Sequence, residues 1–180
     1  LSERLFIADP SIKSVHLPEL EIYKQQFWKC LTYVDRSIGQ LLAYIEEHFA
    51  EGEYIINLYS DHGNSIFTPP REDGGVDVMS EYGTGAAWMM RGAGIPQGVV
   101  SKELTSIVDI YPTLGRLCGF PAAPNIDGNL PAVFGGRARD AVYSMSMFPG
   151  QTYKLAVRNA AHVFRLETED PVDEDGSVDF

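Results

Sequence analysis

Asp61 and His62 stand side by side and offer a carboxylate and an imidazole, two side-chain types that ligate divalent cations well. Gly63 follows and allows a sharp backbone turn, so one loop can present both. Before them runs Tyr54-Ile55-Ile56-Asn57-Leu58-Tyr59, rich in β-branched and aromatic residues, which predicts a buried strand over 54–59. Ser60-Asp61-His62-Gly63 then falls at the carboxyl end of that strand, the end at which open α/β sheets bind ligands. The same four residues can also be a polar turn with no ligand, because short motifs match by chance.

The elements that must position this loop lie on both sides of it. Residues 1–17 read as irregular, broken by Pro10 and Pro18. Tyr23, Phe27, Leu31, Val34, Ile38, Leu41, Leu42, Ile45 and Phe49 then recur every three or four positions, the period of a long amphipathic helix lying on a sheet, with Gly52 as its stop. Asp35 and Arg36 belong to its solvated face, and His48 suits its C-terminal dipole. Beyond the organising strand, residues 64–75 carry the turn residues of a loop, and a loop of that length at a strand end is more often functional than idle. Ala86 to Met90 predicts a second buried strand, and Asp109 is placed to cap a short helix that Gly119 ends. After a linker over 121–131, short strands are expected at 141–147, 153–158 and 162–167. Asn159-Ala160-Ala161 joins the last two as a hairpin, and residues 169–180 form a loose acidic tail.

Charge and cysteine usage narrow the function classes. With 14 Lys and Arg against 25 Asp and Glu, the net charge is −11, which argues against a surface for phosphate backbones and in favour of a small-molecule partner. No apolar run approaches the roughly 20 residues that span a bilayer. Cys30 and Cys118 have no paired spacing, so each reads as a small buried hydrophobe, with no disulfide or thiolate site. The chain opens at Leu1 without an initiator Met or a leader and reads as processed or truncated, which leaves localisation open.

In order and spacing, several segments resemble one family. They are Tyr33 to Leu42 in the helix, Ser60-Asp61-His62-Gly63, Ser80-Glu81, Arg91-Gly92-Ala93-Gly94-Ile95-Pro96, Val108-Asp109-Ile110-Tyr111-Pro112-Thr113-Leu114, and the stop at Gly119. Together they resemble the C-terminal half of the sulfatase family, within the alkaline phosphatase superfamily. The resemblance implies an α/β fold: the C-terminal part of an α/β/α sandwich over 1–135, with a small antiparallel β subdomain and acidic tail over 136–180. It implies metal-dependent hydrolysis of a sulfate ester, with the positions of Asp61 and His62 as metal ligands and calcium as the expected metal. Many sulfatases carry Asn where His62 stands, and an imidazole suits zinc better than calcium, so zinc and manganese stay open.

The chain also departs from the family pattern. Neither cysteine sits in the Cys-x-Pro-x-Arg motif that supplies the nucleophile, so the nucleophile is expected upstream of Leu1, along with the family's paired aspartates. The sulfate-binding Lys would fall near Val76, yet no Lys occurs between Arg71 and Lys102. Arg71 could supply that charge from the loop. Glu81, His16 and His162 read as structural. The expected function is a sulfatase-like hydrolase, with phosphoryl or phosphonyl transfer and a non-catalytic binding domain as alternatives. The isolated 180 residues are expected to lack turnover and to depend on the upstream half or on self-association.

Overall fold

The computed structural model describes residues 17–68 and 77–178. The irregular N-terminal stretch with His16, and the part of the loop holding Arg71 and Val76, lie outside the described residues. The chain is mixed α/β and gathers into two compact units, Leu1–Ala93 and Gly94–Phe180. Within the second unit, residues on both sides of 135 are tied together, as by the pairing of Arg139 with Asp109.

The first unit begins with α1, Leu17–His48. Tyr23, Phe27, Cys30, Ile38, Leu42 and Ile45 form its half-buried stripe, while Leu31, Val34 and Leu41 remain exposed, so the period is helical and the covered face narrower than the sequence suggests. Phe27 and Trp28 pack on Phe67 with ring centroids 5.3 and 5.8 Å away, and Glu46 pairs with Arg91 at 2.6 Å. No residue of α1 from 21 onwards is buried, and the helix meets the rest of its unit mainly through Phe67 and Arg91.

β1, Ile55–Tyr59, pairs antiparallel with β2, Trp88–Gly92, in register Ile55 to Gly92 and Tyr59 to Trp88. The two predicted strands therefore share one sheet, as their apolar character demands. A two-stranded ribbon covers little of itself, so β1 is half-buried and Tyr59 exposed. Trp88 Nε1 donates to Asn57 Oδ1 at 2.8 Å, which satisfies the polar residue inside the strand. β2 starts two residues later than read, because Ala87 bonds Ser60: Ser60 N–H donates to the Ala87 carbonyl at 3.0 Å and Ala87 N–H to Ser60 Oγ at 2.8 Å.

The second unit is built around Asp109. A 3-10 turn, Ile107–Asp109, runs into α3, Ile110–Cys118, and the left-handed Gly119 ends it by donating to the Gly115 carbonyl at 3.0 Å. Asp109 stands just ahead of α3 as read, but its carboxylate does not cap that helix. It accepts from Ser106 N–H at 2.8 Å, from Asn129 N–H at 2.7 Å, and from Arg139 through both Nε and a terminal nitrogen. Only 1% of Asp109 is exposed. Burial pushes its carboxyl up, but the bonds from Arg139, Asn129 and Ser106 outweigh that and hold it below the usual carboxylate range. Glu103 likewise accepts from Ala132 and Val133 N–H at 2.9 and 3.3 Å, so two carboxylates pin the C-terminal end of the segment read as a linker.

β3, Val142–Ser146, β4, Thr152–Arg158, and β5, Val163–Pro171, form an antiparallel sheet in that order. Asn159 Oδ1 closes the hairpin by accepting from Ala161 and His162 N–H at 2.9 and 2.7 Å, and His162 is exposed at its end. The tail is not loose. β5 extends to Pro171, Val172 is 1% exposed and bonds Gln151 and Gly150, and Ser177 closes a turn on Asp173 and Asp175. Cys118 is exposed and Cys30 half-buried, so neither is the buried hydrophobe expected. Among the described residues no helix is long and apolar enough to cross a membrane.

Candidate functional site

Asp61 and His62 leave the carboxyl end of β1 and are exposed, with side chains 83% and 75% accessible. Asp61 Oδ1 accepts from His62 N–H at 3.0 Å, which bends the carboxylate back over the turn. His62 Nδ1 lies 2.6 Å from the Gly63 carbonyl oxygen. A carbonyl only accepts, so Nδ1 carries a proton. Nε2 is 3.7 Å from Asp61 Oδ2. One imidazole nitrogen and one carboxylate oxygen thus face a common space, while the other ring nitrogen donates to a carbonyl, the outer bond that commonly orients metal-binding histidines. This donor pair fits a divalent cation. Among the described residues no group of three or more His, Cys, Asp or Glu gathers closely enough to hold one.

Gly63 has a different role from the sharp turn read in the sequence. A Cβ there would lie 2.0 Å from the Tyr82 carbonyl oxygen and 2.7 Å from that of Gly85, and Gly63 N–H donates to the Gly83 carbonyl at 2.9 Å. Glycine is needed because the loop touches the backbone of α2, Glu81–Thr84. Gly63→Ala is therefore expected to push the loop off α2 and to cost about 1–3 kcal/mol, as overpacking does. Thermal unfolding checks this, and an unchanged midpoint would show that the loop yields freely.

Ser80 precedes α2 and caps it, its Oγ accepting from Gly83 N–H at 3.1 Å. Ser80 is 3% exposed and also shares a 2.7 Å hydrogen bond with Thr68 Oγ1. Glu81 opens α2 and is exposed, with its carbonyl taking Gly85 N–H. The Asp61-His62-Gly63 loop thus meets the turn that follows Ser80-Glu81 through the backbone of Tyr82, Gly83 and Gly85. The sequence reading missed Thr68, Ser80 and Gly83 as supports. The serine ahead of a glycine-containing turn is a capping signal that could have marked Ser80.

A family model described as Sulfatase matches residues 22–120, more than half of the chain and the whole of the β1 to α2 site. The chain belongs to the sulfatase family. It is also similar to the N-acetylgalactosamine-6-sulfatase of Canis lupus familiaris, at 30% identity over 122 residues, which covers 59% of this chain and 23% of that sulfatase. The matched part of the chain thus spans about a quarter of its curated sulfatase relative. No solved structure matches it.

Proposed function

We propose that the intact protein hydrolyses a sulfate ester at a divalent cation held in part by Asp61 and His62. The observation that carries this reading is the pairing of His62 Nε2 with Asp61 Oδ2 at 3.7 Å on one exposed loop, inside the segment that matches the sulfatase family. Asp61 contributes an anionic oxygen, and His62 a nitrogen whose direction is set by its bond to Gly63. The cation, with calcium first and zinc or manganese as alternatives, supplies a Lewis acid that neutralises charge growing on the ester oxygens. The remaining ligands and the nucleophile come from residues outside this pair, in keeping with a site shared with the upstream half of an α/β/α sandwich.

The test is hydrolysis of an aryl sulfate and an aryl phosphate by the intact protein. Sulfate turnover above phosphate turnover is expected. Preferred phosphate turnover would move the protein to the phosphatase-like relatives, and no turnover on either would leave a binding domain.

The isolated 180 residues are expected to show no turnover with any cation added and to bind calcium or zinc weakly, since two protein ligands leave most positions to water. They should also self-associate. Val100 is 87% exposed, and Tyr143, Met145 and Phe164, which the strand register sets on one sheet face, are each about 60% exposed. In sedimentation velocity the average mass should rise with concentration, whereas a clean monomer at high concentration would contradict this.

A further inference from the structure

We propose that Ser80 and Thr68 are positioning residues for the imidazole of His62, acting through hydrogen bonds that the backbone of Gly83 and Gly63 links together. Thr68 Oγ1 and Ser80 Oγ are 2.7 Å apart, and Ser80 Oγ accepts from Gly83 N–H at 3.1 Å. The Gly83 carbonyl takes Gly63 N–H at 2.9 Å, and the Gly63 carbonyl takes the Nδ1 proton of His62 at 2.6 Å. The hydrogen bonds hold the backbone of Gly83 and then of Gly63 in place, so the carbonyl that orients an exposed ring is positioned from a serine that is 3% exposed.

The relay has little slack. A Cβ on Gly83 would lie 2.2 Å from the Val78 carbonyl oxygen and 2.6 Å from Ser65 Oγ, and one on Gly63 would meet Tyr82 at 2.0 Å. Close backbone contact on both sides means that a change at Ser80 moves Gly83, and Gly83 moves Gly63. Asn64 adds a second anchor: its Oδ1 accepts from Ile66 N–H at 3.1 Å and starts the 3-10 turn Ser65–Phe67 that carries the chain to Thr68. An imidazole 75% accessible would otherwise sample several rotamers, and only some of these turn Nε2 towards the Asp61 carboxylate.

In its link to the cation this proposal rests on the function proposed above, and the test separates the two. The intact protein is prepared as wild type, Thr68→Val, Thr68→Ser, Ser80→Ala and Asp61→Ala. Calcium and zinc binding are followed by calorimetry, and the ring nitrogens of His62 by nitrogen-15 NMR without cation. Thr68→Val keeps the shape of threonine and removes the bond, whereas Thr68→Ser keeps the bond. Wild type is expected to show the single tautomer protonated at Nδ1. Thr68→Val and Ser80→Ala should give mixed tautomers and an affinity reduced about 10–100-fold, the usual effect of losing an outer partner. Thr68→Ser should match wild type in both. If Ser80→Ala fails to fold, the Thr68 pair decides. Folded Thr68→Val with wild-type ring signals and wild-type affinity would overturn the relay. If Asp61→Ala binds cation as wild type does while Thr68→Val still mixes the tautomers, the metal assignment fails and the relay stands.

Discussion

Asp109→Ala should be the most destabilising single substitution in the second unit, lowering stability by about 3–5 kcal/mol, the range for breaking one partner of a buried ion pair. Asp109 is 1% exposed and receives two backbone N–H groups and the Arg139 guanidinium, whose own side chain is only 14% accessible. Removing the carboxylate leaves a buried cation and two unmatched donors, each a desolvation cost with nothing to offset it. Arg139 also donates to the Asp127 carbonyl at 2.7 Å, so the segment between α3 and β3 should loosen with it. The carboxyl of Asp109 lies lower in the folded protein than in the unfolded chain. Its stabilisation is therefore fully present above the unfolded value of about 3.9 and is lost as pH falls through the lower folded value. Denaturant unfolding of wild type and Asp109→Asn should show a constant gap near neutral pH that narrows only in strong acid. A gap that narrowed on raising the pH would contradict the assignment.

Asp61→Ala is expected to have the larger effect on activity. Loss of an outer partner at a metal site typically costs about 10–100-fold in affinity or rate, so loss of a direct carboxylate ligand should exceed about 100-fold. Asp61 is exposed and its partners are local, the nearest being His62 N–H at 3.0 Å. Its removal should leave unfolding within about 0.5 kcal/mol of wild type, as for surface positions generally. Large loss of calcium affinity with unchanged stability is the expected combination in calorimetry and denaturant unfolding of the intact protein. Equal loss of both would make Asp61 a structural residue.

What was legible in the sequence followed from local chemistry. The β-branched run before Ser60 read as β1 because such residues crowd a helix and suit a pleated strand, and a strand must end where Ser-Asp-His-Gly offers polar groups to solvent. The period of Tyr23, Phe27 and Ile38 read as α1, and Gly119 as the end of α3, for similar reasons. Partners distant in the chain were not legible. Arg139 lies 30 residues beyond Asp109, so an acidic residue before a helix read as a cap when its carboxylate serves as a hub. Thr68 and Ser80 are 12 residues apart across a loop, and nothing in either residue alone announces the other. The tail was misread because its acidic residues outnumber Val172, whose burial and bonds to Gln151 carry β5 onward. Gly63 read correctly as necessary but for a different reason, since its constraint is the Tyr82 carbonyl and not the turn itself.

The proposal that Asp61 and His62 hold a cation needed for sulfate-ester hydrolysis is tested most directly by stripping the intact protein with a chelator. Calcium, manganese or zinc is then titrated back while aryl sulfate hydrolysis is followed, in wild type and in Asp61→Ala. Activity should vanish on stripping and return with added cation in wild type, while Asp61→Ala stays more than about 100-fold below it at matched cation, beyond the range for an outer partner. Hydrolysis that survives stripping, or an Asp61→Ala enzyme that recovers at the same cation concentration as wild type, would contradict it.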